Sequence, residues 1–80
     1  MNPDRERAFL VALGRRLRLL RVERYLSQQQ LGDAAGMSRT FVSVIEHGTG
    51  GVDVLRLLRV ADVLDVPLAR LLPDEEAYAV

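Results

Sequence analysis

Residues 26–48 read LSQQQLGDAAGMSRTFVSVIEHG, and their spacing decides how the rest of the chain must fold. Ser27 with Gln30 three residues on is a capping box, which satisfies two free amides at a helix start. Leu31, Ala34 and Ala35 follow at helical spacing. The sequence Ala35-Gly36-Met37 breaks that pattern, and a glycine can take the positive φ that ends a helix. Ser38 can cap a second helix. Its apolar set is Met37, Phe41, Val42 and Ile45, and Gly48 closes it. The stretch therefore predicts two short helices, over about 28–35 and 39–47, joined by a tight glycine turn.

The chain working outward from this unit is also helical. Asn2, Pro3 and Asp4 give a cap, a proline at the first helical position and an acid in the first turn. They predict a helix over about 3–24. Phe9, Leu10, Leu13, Leu17 and Leu20 form one stripe at spacings of three and four. Arg15, Arg16, Arg18 and Arg21 surround it, as a solvated face does. Gly14, inside this helix, reads as a close helix contact or a weak point of roughly 1 kcal/mol. Leu26 is expected to turn back into the core. After Gly48, Thr49-Gly50-Gly51 is a flexible connection. A helix over about 52–64 comes next, with Leu55, Leu58, Ala61 and Leu64 facing inward. Val54, Leu57, Val60 and Val63 add apolar positions, so this helix has a second surface to bury. Pro67 starts a last short helix over 68–72, and Pro73 stops it. Residues 73–80 read as a frayed acidic tail whose Tyr78 and Val80 are free to pack on a partner. The fold class is all-α: one domain over 1–80, five helices and no sheet.

Eighty residues place the chain near the lower limit of a self-sufficient core, so a dimer interface would add stability. No cysteine is present, which excludes disulfides and thiol chemistry. The apolar run over 8–13 is too short to span a membrane and lacks a cleavage site, so a cytoplasmic protein without membrane association is expected. Net charge is zero, but it is unevenly spread. Residues 1–47 hold eight arginines and five acids, net +3, whereas residues 48–80 hold three arginines and six acids, net −3. The positive half carries the two-helix unit. A neutral chain binds nucleic acid when its basic groups share a face.

Two helices with a short glycine turn between them are the arrangement of a helix-turn-helix. The residues Leu13-Gly14, Leu17-Arg18, Arg21, Leu26-Ser27-Gln28, Leu31, Ala35-Gly36-Met37-Ser38, Val42-Ser43, Ile45-Glu46 and Gly48 resemble the Cro/C1-type (XRE) helix-turn-helix family. Leu55, Leu58, Ala61 and Leu64, at intervals of three, and the Leu71-Leu72 pair extend the likeness to residues 10–72. The run Arg39-Thr40-Phe41-Val42-Ser43 and the small size are similar to controller proteins of restriction–modification systems. Three departures stand out: Gly32 where the family usually has alanine, Tyr25 where glycine is common, and Gly50-Gly51 where a proline linker is frequent.

The resemblance implies a five-helix, lambda-repressor-like domain that regulates transcription by reading double-stranded DNA. It implies that Gln28 bonds a phosphate at the start of the second helix. Arg39, Thr40, Ser43 and Val44 would then face the major groove, with Arg39 suited to guanine O6 and N7. Phe41 is open between core packing and a sugar or thymine contact. His47 and Thr49 would touch phosphate, with backbone charge from Arg15 or Arg18. Arg21 and Glu46 would pair and tie the first helix to the third. His47 alone, at a helix end, also suits simple dipole compensation. Asp74-Glu75-Glu76 lacks the spacing of a ligand set, and no metal, cofactor or small-molecule ligand is expected. No nucleophile–His pair or phosphate loop is present, so an enzyme is not expected. One domain of this size contacts only a few base pairs, so an autoregulatory homodimer on a palindromic operator is expected, with the extra apolar positions Val54, Leu57, Leu68, Leu71 and Leu72 as its interface. The alternative is a helical protein-interaction module such as an antitoxin or adaptor.

Overall fold

A computed structural model describes residues 2–79 and contains, among them, five α-helices, one 3-10 turn and no strand. The helices are α1 (Pro3–Glu23), α2 (Gln28–Ala35), α3 (Arg39–His47), α4 (Val54–Leu64) and α5 (Glu75–Tyr78); the 3-10 turn is Leu68–Arg70. The 21 residues of α1 span about 31 Å at 1.5 Å each. That is nearly the whole 34 Å length of the molecule; α3 and α5 pack on α1, α2 packs on α3, and α4 packs on α2.

One core joins them. Leu13, Leu17 and Leu20 of α1 meet Leu31 and Ala35 of α2, Val42 and Ile45 of α3, and Leu57, Val60, Ala61 and Leu64 of α4. Leu71 closes one end. Each helix starts on a side-chain cap: Asn2 for α1, Ser27 for α2, Ser38 for α3 and Asp53 for α4. The exception is α5, which has none.

The turn out of α1 is made without glycine. Tyr25 takes φ 58° and is 94% exposed. Its N–H donates to the Val22 carbonyl at 3.0 Å, and that of Leu26 donates to the Arg21 carbonyl at 3.3 Å. A left-handed tyrosine costs roughly 1–2 kcal/mol, and Leu26 packing on the core offsets it. The turn is closed again by Arg24, whose Nε donates to the Leu64 carbonyl and so ties the ends of α1 and α4.

The C-terminal third departs from the expected pattern in four ways. First, α4 begins at Val54 rather than 52, because Asp53 accepts from the Arg56 amide and starts the helix there. Second, its buried stripe is Leu57, Val60, Ala61 and Leu64, whereas Leu55 (64% exposed) and Leu58 face outward with Val54. With apolar residues on most sides of this helix, two stripes satisfy the same spacing, and packing against α2 selects one. Leu57 and Leu71 therefore belong to the monomer core and are not free for a dimer interface. Leu68 is partly buried against the same core, and Leu72 is exposed. Third, the helix expected over 68–72 is only the 3-10 turn Leu68–Arg70.

Fourth, the tail is not frayed. Pro73 is buried, and α5 lies on α1. Tyr78 meets the Phe9 ring edge-on, with centroids 5.0 Å apart and planes at 84°. Arg5 sits 5.3 Å over the Tyr78 ring and pairs with Glu75 at 3.1 Å. Tyr78 thus packs on its own chain rather than on a partner, and Val80 lies outside the described residues. Tyr78→Ala is expected to lower stability by about 1–2 kcal/mol through the lost ring pair and its area. A melting temperature lower by several degrees would register that; an unchanged one would mean the tail contributes nothing.

Candidate nucleic-acid interface

The two-helix unit is built by its caps. In α2 the Ser27 hydroxyl accepts from the Gln30 amide at 3.0 Å, and Gln30 Oε1 accepts from the Ser27 amide at 2.9 Å. Gly36, at φ 74°, ends the helix, and the Met37 amide returns to the Gly32 carbonyl at 2.9 Å. Gly32 has a steric reason here: a Cβ would lie 2.6 Å from the Met37 carbonyl oxygen. Ser38 Oγ accepts from the Phe41 amide at 3.0 Å and starts α3.

The periodicity of α3 separates two faces. Val42, Ile45 and Glu46 are buried. On the other side Arg39, Thr40, Ser43, Val44 and His47 join Gln28 and Thr49 around one open concavity of about 430 Å³. Positions 40, 43, 44 and 47 keep the spacing of three and four that aligns side chains along one helix face. Arg39, Thr40, His47 and Thr49 are exposed; Gln28, Ser43 and Val44 are half-buried. His47 Nδ1 donates to the Ser43 carbonyl at 2.8 Å, since a carbonyl can only accept. Nε2 is the ring nitrogen left to a ligand.

Two site residues named from the sequence, Phe41 and Arg15, lie away from this concavity. Phe41 does not line the concavity. It packs against the core, and the Arg56 guanidinium lies 5.2 Å above its ring. Arg15 lines shallow depressions beside Ala77 of α5, away from α3. Arg18 does reach the site: with Arg21, Gln28, Glu46 and His47 it lines a second depression of about 340 Å³ that shares Gln28 and His47 with the first. Gln28 is not free, because its Nε2 donates to Glu46 Oε1 at 3.1 Å.

Arg21 and Glu46 form the brace beneath this surface. Arg21 Nε donates to Glu46 Oε2 at 2.6 Å and Nη2 donates to Oε1 at 2.9 Å. Nη1 donates to the Leu26 carbonyl at 2.8 Å, so a single guanidinium joins α1, α3 and the chain entering α2. Glu46 is 8% exposed and the Arg21 side chain 11%. The hydrogen bonds from Arg21 to Glu46 hold the Arg21 pKa above its ordinary value, against the opposing effect of burial. That charge is therefore fixed throughout the accessible pH range.

Arg56 was not among the residues expected here. It donates to Asp53 at 2.9 Å, which lowers the Asp53 pKa below its ordinary value. A carboxyl lowered on folding stabilises above the ordinary carboxylate range, and that contribution fades as pH falls below about 4. The signal for Arg56 was its spacing, three residues after a helix-capping acid. Among the described residues no group of three or more acidic, His or Cys side chains is placed to hold a metal. Among the described residues no helix is long and apolar enough to cross a membrane.

This geometry is shared with known proteins. The controller protein C.AhdI of a restriction–modification system from Aeromonas hydrophila is 37% identical, with a TM-score of 0.76 over 78% of this chain and 94% of that one. The S. venezulae BldD DNA-binding domain is 31% identical, at 0.73 over 81% and 97%. The clp gene regulator ClgR from Corynebacterium glutamicum is 27% identical, at 0.76 over 79% and 67%. No curated protein sequence matches the chain. A family described as "Helix-turn-helix domain" matches residues 12–72. Over three-quarters of its length, then, the chain belongs to the helix-turn-helix domain family, and it is a DNA-binding regulator of the Cro/C1 type.

Proposed function

We propose that the protein is a sequence-specific transcriptional regulator that inserts α3 into the major groove and acts as a homodimer on a palindromic operator. The observation that carries this reading is the concavity on α2 and α3: six polar side chains and Val44 share one open surface over a buried ionic brace. Arg39 reads a base, most naturally guanine through O6 and N7. Thr40, Ser43 and Val44 contact neighbouring bases; Gln28, Thr49 and Arg18 bond phosphates, and His47 does so as the imidazolium, whose Nε2 also carries a proton. The 37% identity to a restriction–modification controller supports a regulator of that kind.

We assign the dimer surface to the outer flank of α4. Val54, Leu55 and Leu58 are large, aliphatic and exposed together on that helix. They replace Leu57 and Leu71, which the monomer buries. A two-fold dimer would set half-sites about 34 Å apart, one turn of duplex. Leu58→Asp is expected to shift sedimentation to the monomer; an unchanged dimer would place the interface elsewhere.

The reading of α3 is tested at Arg39. Arg39→Ala is expected to weaken specific binding by about 1–3 kcal/mol and to relax selectivity at a single base position. A uniform loss over all sequences would make Arg39 a phosphate contact instead.

A further inference from the structure

Glu46 does more than pair with Arg21. Its Oε2 is taken by Arg21 Nε, but Oε1 accepts twice, from Arg21 Nη2 at 2.9 Å and from Gln28 Nε2 at 3.1 Å. An ionised carboxylate is an acceptor only, so Gln28 must turn its amide nitrogen, not its oxygen, toward Glu46. This fixes which way the amide faces. One N–H is held by Glu46; the other remains for a ligand at the concavity that Gln28 lines. Arg21 meanwhile neutralises a carboxylate that would otherwise repel an anion beside Gln28. The same guanidinium holds the Leu26 carbonyl, two residues before Gln28, and so steadies the start of α2.

We propose that Glu46 is a positioning residue for DNA binding: it orients the Gln28 amide toward a backbone phosphate and sets that contact at a fixed distance from the base-reading face of α3. This rests on the reading that Gln28 meets a phosphate. Glu46 belongs to α3 itself, one residue before His47. The helix that reads bases therefore carries the group that aims the phosphate contact of α2. A structural pair alone would hold α1 to α3 and leave Gln28 free to rotate.

The test is a double-mutant cycle on DNA affinity. Phosphate contacts are independent of sequence, so the probe is a mixed-sequence duplex of about 24 base pairs at low salt. Gln28→Ala is expected to weaken binding about tenfold or more, as loss of a hydrogen bond to a charged group does. Glu46→Gln keeps the shape but lets residue 46 present an amide nitrogen to Gln28. It is expected to weaken binding severalfold in the native background and by less than about twofold in the Gln28→Ala background. Its effect on the unfolding midpoint, expected to be smaller in the Gln28→Ala background because the bond between the two side chains is already lost there, is measured separately from affinity. Equal losses of affinity in the two backgrounds would overturn the positioning role and leave Gln28 as a phosphate contact. An unchanged affinity for Gln28→Ala would remove that contact and the proposal with it. A measurement on the unmodified protein stands beside the cycle. The Gln28 side-chain amide should show an NMR order parameter near that of rigid backbone, about 0.85, and a value under about 0.6 would contradict its being held.

Discussion

Glu46→Ala is expected to lower stability by about 3–5 kcal/mol, most of what a domain of this size has. Two facts produce this magnitude. The Arg21 side chain is buried to 11% exposure, and the substitution strips two of its N–H donors of their acceptor at once. An unpaired guanidinium at such a site retains its desolvation penalty and loses its compensation. Gln28 loses an acceptor too. Chemical denaturation of the single variant reads the loss. A second variant separates the pair's worth from the penalty of breaking it. Arg21→Met combined with Glu46→Leu removes both charges and fills the space, and it should recover much of the loss. A single-variant loss below about 1 kcal/mol would mean that solvent screens the pair as it does at a surface.

Gly14→Ala is expected to lower stability by about 2 kcal/mol, although alanine is the better helix former by about 1 kcal/mol. The reason is the crossing of α1 and α3. A Cβ at position 14 would press on the Ile45 and Glu46 carbonyl oxygens and sit 2.8 Å from the Glu46 carbonyl carbon. These are backbone atoms of α3, so no side chain can turn aside and the helices must part. Parting them also moves Glu46 away from Arg21, and operator affinity should fall with stability. Gly51→Ala is the control, because nothing lies within 4 Å of a Cβ there. A stabilised Gly14→Ala variant would show that the crossing is looser than the structure has it.

Gly14 also shows what a sequence conveys. Its helical context was plain, but whether it marked a close contact or a weak point depended on which atoms arrive from α3. The same division runs through the chain. Caps are local, and Asn2, Ser27 and Ser38 mark the starts of three helices by residue type and spacing alone. The face of α3 is equally local, because Val42 and Ile45 are apolar where Thr40, Ser43 and His47 are not.

The α4 helix carries no such contrast. Leucine or valine occupies both flanks, and only the shape of α2 and α1 decides that Leu57 turns in and Leu55 out. The tail is another case of distant cause. Asp74-Glu75-Glu76 looks like a solvated end until Phe9 and Arg5, some 70 positions earlier, supply a ring and a charge to receive Tyr78 and Glu75. Phe41 was undecidable from its position in α3, because the group that covers it, Arg56, belongs to α4. Tyr25 makes a glycine's turn at the backbone cost of its own Cβ, and the packing of Leu26 that offsets it lies outside the turn's own sequence.

If α3 of a two-fold dimer reads base sequence, selection of bound DNA from a random duplex pool will recover the sequence it reads. The selection is run at about 100 mM and about 250 mM salt, since phosphate contacts weaken as released counterions compete. A palindromic motif with half-sites about one turn apart is expected at both concentrations, with a guanine assigned to Arg39 by loss of that position in Arg39→Ala. Binding that disappears with salt and leaves no motif would contradict it, and would reduce the basic half of the chain to unspecific electrostatic attraction.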